Sequence, residues 1–388
     1  MAIMSSSCEP LRREVSETRD VISCCNIPAE RATAAREAKS RYDRDANRRA
    51  SYIDAPSTFR MSTELARGTV IGNGRYEVLE EINRGGTAIV FRGVDRELRC
   101  DVALKVIDTG ADAKVRVPLG AVKREIKYAT KLTKLDTDNC DVKNHALCRL
   151  LNVVNHGQSL LILVWEYVAG VDVLDFINES GGFLRESVAR HLFAQLVQAI
   201  ETIHAHGFCH RDIKPENAII SDGRLKLIDF GLAKGLDSAK TKGIGTPDYM
   251  APEIITLIGE PGEQKTGKYD AKACDVWSSA CMLYIMLTGK YPFQDARHPN
   301  NVKMTLRNIM DGRIAPITRQ VSSEVEDLML RMLNPDPKKR LTLREVAKHP
   351  WLADEGDDET HRQKKKKVAS QSIMDRLRKT FRSMTTAR

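Results

Sequence analysis

Residues 210–217 read His-Arg-Asp-Ile-Lys-Pro-Glu-Asn, and residues 229–231 read Asp-Phe-Gly. Two carboxylates and an amide at this spacing can orient a hydroxyl group and hold a divalent cation over a phosphate chain. The triplet Ala-Pro-Glu follows at 251–253. His-Arg-Asp alone could arise by chance, but the three segments in this order are far more specific. This part of the chain therefore predicts a site for phosphate transfer.

These motifs resemble those of the eukaryotic serine/threonine protein kinases. The resemblance covers residues 76–352, about seven tenths of the 388-residue chain. It implies an α+β, bilobal protein kinase fold, with a small five-stranded antiparallel sheet in an N-lobe (76–165) and a helical C-lobe (169–352). Within the family, residues 275–278 and 349–352 look closest to the calcium/calmodulin-dependent and energy-sensing (AMP-activated-like) kinase group.

The resemblance assigns roles to the residues of the catalytic loop. Asp212 is expected to accept the proton of the substrate hydroxyl, and Lys214 to neutralise charge on the transferred phosphate. Asn217 and Asp229 are expected to ligate Mg²⁺ through hard oxygen atoms. The implied cosubstrate is ATP. Lys-Pro-Glu in this loop is typical of serine/threonine rather than tyrosine specificity.

A second group of implied residues precedes the catalytic loop. In Val-Ala-Leu-Lys at 102–105, Lys105 matches the lysine that contacts the α- and β-phosphates of ATP, and Glu125 matches its partner on the following helix. Alternation along this strand is expected to bury Ala103 against the adenine. Val-Ala-Leu-Lys alone would be a weak signal, but the catalytic loop about 105 residues later makes it strong.

The stretch after the next apolar strand resembles the gatekeeper and hinge of the family. The backbones of Glu166 and Val168 are expected to hydrogen-bond adenine, and Asp172 is expected to meet the ribose or a substrate arginine. Trp165 would be a bulky gatekeeper, and Ala129 is small where relatives carry a larger apolar residue. We expect these two residues to compensate in volume and to close the space behind ATP. The alternative is that Trp165 is an ordinary core residue and the register is shifted by one.

The glycine-rich loop departs from the family pattern. Aligned on Val90, the form G-x-G-x-x-G-x-V keeps its central glycine at Gly85 but has Asn83 in the first position and Ala88 in the third. Glycine lets backbone amides approach phosphates without a Cβ clash, and asparagine tolerates left-handed torsions better than most residues. We therefore expect weakened or differently shaped nucleotide binding rather than a dead site. The residues expected to contact the nucleotide here are Ile82, Asn83, Arg84, Gly85, Gly86, Thr87, Ala88 and Val90.

Acidic side chains flank the expected peptide groove. Asp172 and Glu216 place negative charge there, so we expect protein substrates whose serine or threonine lies in a basic context. Solvated surface carboxylates are the alternative. The rival to an enzyme is a pseudokinase scaffold that binds partners without turnover. The altered glycine loop favours that scaffold, and the intact catalytic set argues against it: Lys105, Asp212, Asn217 and Asp229.

The activation segment raises a question about regulation. Arg211, before the catalytic aspartate, is typical of relatives that are switched by phosphorylation of this segment. The position that relatives phosphorylate most often is occupied by Lys242, which cannot be modified in that way. Thr241 or Ser238 would serve instead, or Lys242 would hold the segment constitutively in place.

The two termini carry the remaining motifs. Residues 1–70 are poor in large apolar residues and are predicted to be largely disordered. Residues 353–388 form a charged regulatory tail, with a basic amphipathic helix predicted at 372–385. That helix would bind a calmodulin-like partner or an anionic membrane surface, or act as an autoinhibitory segment; a solvated, unstructured tail is the alternative. Arg48–Ser51 matches a basophilic phosphorylation sequence.

Composition limits the compartment and the partners. The formal charge is +9, which suggests anionic partners or simply solvated basic tails, and no motif indicates a specific nucleic acid. The nine cysteines form no Cys-x-x-Cys pair, which favours a reducing compartment. No apolar run reaches the roughly 18 residues of a transmembrane segment. We therefore expect a cytoplasmic protein, with the nucleus as an alternative.

Overall fold

A computed structural model of the chain describes the following residues: 65–85, 88–110, 119–138, 146–230, 234–235, 247–258, 267, 269–295, 297–298 and 301–353. The expectations for Gly86 and Thr87, for the activation-segment positions 238–242, for the N-terminal extension up to residue 64 and for the C-terminal tail from residue 354 lie outside these residues. So do the phosphorylation motif at 48–51 and the amphipathic helix at 372–385.

The N-terminal lobe is built on one antiparallel sheet. Its strands lie in the order β1-β2-β3-β4-β6-β5. Their bounds are β1 Val70–Ile71, β2 Tyr76–Arg84, β3 Ile89–Asp95, β4 Cys100–Asp108, β5 Leu150–His156 and β6 Leu160–Glu166. The expected antiparallel sheet is confirmed, but it has six strands rather than five.

The additional strand, β1, shows that the fold begins before Tyr76. Ile71 pairs with Tyr76, and both side chains are buried. Leu65 is also buried in the same apolar cluster. Burial of these side chains stabilises a strand of only two residues, because the pairing alone would contribute little. The regular structure therefore reaches into the segment that the sequence assigned to a disordered extension.

The pairing of β4 places the expected nucleotide-binding lysine at the centre of the sheet. Lys105 lies opposite Val90 of β3 and Leu163 of β6. Its neighbours Leu104 and Val106 are completely buried on the other face, as the two-residue period of a strand requires. Helix α1, Leu119–Asp138, follows this strand and carries Glu125 on its buried side.

The C-terminal lobe is mainly helical. Its helices are α2 Val173–Glu179, α3 Glu186–Ala205, α4 Pro252–Ile258, α5 Ala271–Thr288, α6 Val302–Asp311, α7 Ser323–Met332, α8 Leu343–Ala347 and α9 Pro350–Ala353. Two small antiparallel sheets accompany them, β10-β9-β7 and β11-β8. Their strands are β7 Val171–Asp172, β8 Phe208–Cys209, β9 Ala218–Ser221, β10 Arg224–Leu227 and β11 Lys234–Gly235.

Helix α5 forms the centre of this lobe, since almost all of its residues are buried. Its N-cap is Asp270, whose side chain accepts a hydrogen bond from the backbone N–H of Lys272. Its C-cap is Gly289, where φ is +69° and a Cβ atom would lie 1.8 Å from the carbonyl oxygen of Gly182. Only glycine fits this close approach. Among the described residues, none of the helices combines the length and hydropathy needed to span a bilayer.

Candidate active site

The catalytic loop is fixed to the core by a buried carboxylate. Asp275 of α5 is completely buried and accepts hydrogen bonds from the backbone N–H groups of His210 (2.9 Å) and Arg211 (2.7 Å). The ring of His204 approaches the same carboxylate at 2.8 Å. Arg211 has a φ of +68°, a strained value for a residue with a side chain. The two hydrogen bonds to Asp275 hold the loop in this conformation.

Asp212 and Lys214, the predicted catalytic residues, come together with Asn217, a predicted Mg²⁺ ligand. The side-chain nitrogen of Asn217 donates to Asp212 twice, to its backbone oxygen and to Oδ2, both at 2.8 Å. Lys214 Nζ lies 3.0 Å from Asp212 Oδ2. Burial opposes the charge on Lys214, but the carboxylate of Asp212 outweighs it and raises the lysine's pKa. Since the Asn217 nitrogen faces Asp212, its amide oxygen is turned away from that carboxylate.

An ion-pair network joins the two lobes across the cleft. Lys105 Nζ lies 2.7 Å from Glu125 Oε1 of α1 and 2.9 Å from Asp229 Oδ1. Burial would lower the pKa of Lys105, but Asp229 and Glu125 together raise it above its ordinary value. Asp229 has a φ of +60° and a largely accessible side chain. The structure therefore forms the Lys105–Glu125 pair that the resemblance implies and adds Asp229 to it.

Aromatic rings pack behind this network. Phe230 is completely buried, with its ring centroid 6.0 Å from that of Trp165 and 5.3 Å from that of His210. Trp165 and Ala129 are both buried in the same apolar core. Within the described part of the chain, the Trp165 indole nitrogen is buried without a hydrogen-bond partner. A closed space behind ATP fits these observations and stays a prediction.

The hinge contains a charged cluster that the sequence did not reveal. The Glu166 carboxylate forms ion pairs with Lys226 of β10 and with Arg149, the latter at 3.3 Å. Burial raises the pKa of Glu166, but Lys226 and Arg149 outweigh it and keep the net pKa below the ordinary value. The backbone of Glu166 is expected to hydrogen-bond adenine, and its carbonyl oxygen receives a long contact from the Cys148 thiol, at 3.4 Å. Val168 packs partly buried against the core.

The described residues of the glycine-rich loop, which flank its tip, differ from the expected arrangement. Asn83 lies within β2, paired with Val90, and has no positive φ, so its tolerance of left-handed torsions is not used. Gly85 N–H donates to the Ala88 carbonyl at 2.9 Å, and Ala88 itself is buried. Ile82 and Arg84 also lie in β2. The Ala88 methyl group therefore packs into the protein interior.

The acidic residues of the expected peptide groove differ in role. Asp172 begins α2, where its side chain accepts from the backbone N–H of Asp175 at 2.8 Å. This helix-capping hydrogen bond thus occupies one of the two carboxylate oxygen atoms of Asp172. Glu216 lies in a short 3₁₀ helix, Pro215–Asn217, and accepts from the Tyr249 hydroxyl at 3.5 Å. Burial raises the pKa of Glu216, and the nearby carboxylates of Asp172 and Asp212 add to the shift.

A two-lobed α+β fold that gathers a lysine, two aspartates and an asparagine at the junction of its lobes defines a phosphotransferase of the kinase class. Residues 76–352 match the family described as "Protein kinase domain". The chain is 32% identical over 289 residues to the serine/threonine-protein kinase SAPK7 of Oryza sativa subsp. japonica, covering 72% of each chain. It is equally identical to the serine/threonine-protein kinase SRK2E of Arabidopsis thaliana, covering 72% of this chain and 71% of that one. The chain therefore belongs to the protein kinase family and is a protein serine/threonine kinase.

Proposed function

We propose that this kinase transfers the γ-phosphoryl group of ATP, in the presence of Mg²⁺, to serine and threonine residues that lie in basic stretches of protein substrates. One observation carries the proposal: the Asp212 carboxylate is held by Asn217 at 2.8 Å and by Lys214 at 3.0 Å. A carboxylate fixed in this way can orient a hydroxyl group. The family supports the reaction class, and this geometry supports the roles of the residues.

The side chains in the cleft fit ATP and Mg²⁺, which protein kinases generally use. The Asn217 amide oxygen and the Asp229 carboxylate are hard oxygen donors of the type that Mg²⁺ prefers, and they would hold it. When bound, the ion neutralises phosphate charge and aligns the transferred group. Lys105 would contact the phosphates. Adenine would lie between the loop at Ala88 and the hinge, near Ala103.

The residues of the chain then have separate tasks. Asp212 accepts the hydrogen bond and the proton of the substrate hydroxyl, because its carboxylate is an acceptor in a fixed orientation. Asn217 sets that orientation through its side-chain nitrogen. Lys214 places a positive charge beside the site where negative charge moves between oxygen atoms. Lys105 remains charged because Glu125 and Asp229 flank it.

Glu216 supports a preference for basic substrates. Burial raises the pKa of Glu216, and the nearby carboxylates of Asp172 and Asp212 add to the shift. A substrate arginine would relieve the repulsion between these carboxylates and form a charge-assisted hydrogen bond with Glu216.

A matched pair of peptides tests this preference. The two peptides share one serine and differ only by arginine or glutamine three residues before it. We expect wild type to favour the arginine peptide in kcat/KM, and Glu216→Gln to reduce that advantage by about tenfold while leaving the glutamine peptide unchanged. Equal losses on both peptides would contradict the proposed role of Glu216.

The proposal also covers the kinase group to which the chain belongs and its cellular compartment. We place the chain in the calcium/calmodulin-dependent and energy-sensing group on the residues at 275–278 and 349–352, with a kinase domain at 76–352 flanked by the two tails. We also propose a cytoplasmic protein, with the nucleus as an alternative. The five cysteines that the structure describes are free thiols, which supports a reducing compartment. Imaging of a fluorescent fusion would test the compartment; retention in the secretory pathway would contradict it.

A further inference from the structure

A buried lysine outside the catalytic set contacts the hinge. Lys226 of β10 is nearly fully buried and forms an ion pair with the carboxylate of Glu166, the last residue of β6. Arg149 contacts the other carboxylate oxygen of Glu166 at 3.3 Å. Burial opposes the charge on Glu166, but the two cations outweigh it and lower the pKa, so the carboxylate stays ionised. The phosphate transfer described above uses none of these three side chains, although a buried ion pair is costly to form.

The ion pairs fix a residue whose backbone lies beside the expected adenine site. The Glu166 N–H donates to the Arg149 carbonyl at 2.9 Å, so this donor is not available to a base. The Glu166 carbonyl oxygen faces the same segment, where the buried Cys148 thiol contacts it at 3.4 Å. Burial raises the pKa of Cys148 to about 12, so the thiol stays protonated. A thiol is a weak donor and a carbonyl oxygen has two lone pairs, so this oxygen can accept one stronger hydrogen bond.

This remaining acceptor determines which base fits. Adenine carries an amino group at position 6, which donates a hydrogen bond, whereas guanine carries an oxygen there, which only accepts. Two acceptors that face each other in a desolvated site both lose their hydrogen bonds, and this loss discriminates strongly between ligands. The Glu166 carbonyl therefore fits a 6-amino purine, on condition that its peptide group keeps this orientation.

Lys226 is well placed to keep the Glu166 peptide group in that orientation. Its strand pairs with β9, and the next residue, Leu227, accepts from the Cys148 N–H at 2.9 Å and donates to the Ala146 carbonyl at 2.7 Å. Lys226 is thus fixed to the same segment that lies against the Glu166 backbone. The pairing of β6 with β4 ends at Glu166. The side-chain ion pairs therefore restrain the hinge at the point where the strand pairing stops.

We propose that Lys226 is a positioning residue for nucleotide selection: through the Glu166 carboxylate, it holds the Glu166 carbonyl where that oxygen accepts a hydrogen bond from the 6-amino group of adenine. The inference deepens the proposed function and rests on its use of ATP. The base is remote from the transferred phosphate, so its contact with Glu166 is the same in the ground state and in the transition state. Loss of Lys226 therefore raises KM for ATP and leaves kcat unchanged.

Two nucleotides separate this role from general support of the fold. Purine riboside triphosphate differs from ATP only in that it lacks the 6-amino group. With an arginine-rich serine peptide as acceptor, Lys226→Met should raise KM for ATP by about tenfold. The KM for purine riboside triphosphate and both kcat values should stay within about twofold of wild type. Lys226→Arg keeps a cation that can reach the carboxylate and should restore most of the preference for ATP.

A matched control comes from the same strand. Arg224→Met removes an exposed cation two residues before Lys226 and should leave KM unchanged for both nucleotides. If Lys226→Met does not fold, Arg149→Met takes its place, because the partly exposed Arg149 contacts the same carboxylate. It should give the same selective increase in KM for ATP, by about threefold.

Each other outcome contradicts a stated part of the proposal. Equal increases in KM for the two nucleotides would show that Lys226 only supports the fold. A higher kcat in Lys226→Met would make the ion pair a restraint on turnover and would also overturn the positioning role. Either result leaves the proposed function intact, because the wild type still transfers phosphate from ATP. A wild type that transfers no phosphate from ATP would overturn the proposed function itself.

Discussion

Lys105 is the residue at which sequence reasoning and geometry agree most closely. Its partner Glu125 is predictable because the family motif places one acidic residue on the helix after the strand, and the two groups lie 2.7 Å apart. The ion pairs of Glu166 are not predictable in that way. Lys226 and Arg149 lie 60 and 17 residues from it along the chain. Backbone contacts bring them together: Glu166 N–H donates to the Arg149 carbonyl, and residues 146–148 pair with Leu227.

The raised pKa of Glu216 predicts a pH dependence of substrate selection. Burial, Asp172 and Asp212 make this carboxyl keep its proton to a higher pH than an ordinary glutamate. Only the deprotonated form attracts arginine, so kcat/KM for an arginine peptide should rise as pH increases through that pKa. Steady-state assays from acidic to neutral pH measure the rise. The variant Glu216→Gln should remove it, and an identical profile in this variant would contradict the assignment.

In the glycine-rich loop, the surroundings of Ala88 in the fold change how its role is interpreted. From the sequence, the loop with Asn83 and Ala88 in place of glycine was expected to give weakened or differently shaped nucleotide binding. In the fold Ala88 is buried, while its carbonyl oxygen accepts from Gly85. Burial could not be foreseen because the family pattern reports only which positions contact phosphate.

Ala88→Gly should therefore act on stability rather than on affinity. We expect the free energy of unfolding to fall by about 1 kcal/mol, from lost packing and added backbone freedom. The dissociation constant for ATP should change by less than about threefold, which is under 0.7 kcal/mol. Denaturant unfolding and titration calorimetry measure the two quantities. A tenfold lower dissociation constant for ATP in this variant would contradict the prediction and indicate that the methyl group obstructs the nucleotide.

The ion pair between Glu253 and Arg340 stabilises the attachment of α4 to the rest of the C-terminal lobe. The Arg340 side chain is completely buried and holds both carboxylate oxygens of Glu253, at 2.7 and 2.9 Å. Arg340→Met should lower the free energy of unfolding by about 3 to 5 kcal/mol, because it leaves a buried carboxylate without its partner. Arg340→Lys, which keeps the charge but loses the two-pronged contact, should cost less. Equal losses in the two variants, measured by denaturant unfolding, would show that charge is unimportant here.

At the scale of the whole molecule, the order of strand and helix patterns indicates only an α+β fold, and the family resemblance implies the bilobal architecture with the site at the junction of the lobes. The error in strand number has a local cause. β1 has two residues, too few to show an alternating pattern. The turn that joins it to β2, Gly72-Asn73-Gly74, has positive φ at all three residues. Asn-Gly between apolar residues is a hairpin signal and would have revealed the strand.

The central claim is that Asp212 accepts the proton during phosphate transfer to a serine in a basic context. Its most direct test measures phosphate transfer from labelled ATP, with Mg²⁺, to an arginine-rich serine peptide. We expect Asp212→Asn to reduce the rate by at least about a hundredfold without a comparable loss of ATP binding. Asp222→Asn is the matched control, because Asp222 is exposed in a turn with a φ of +51°, which asparagine tolerates. Undiminished transfer by Asp212→Asn would contradict the claim, and a wild type that binds ATP without transferring phosphate would indicate a scaffold instead.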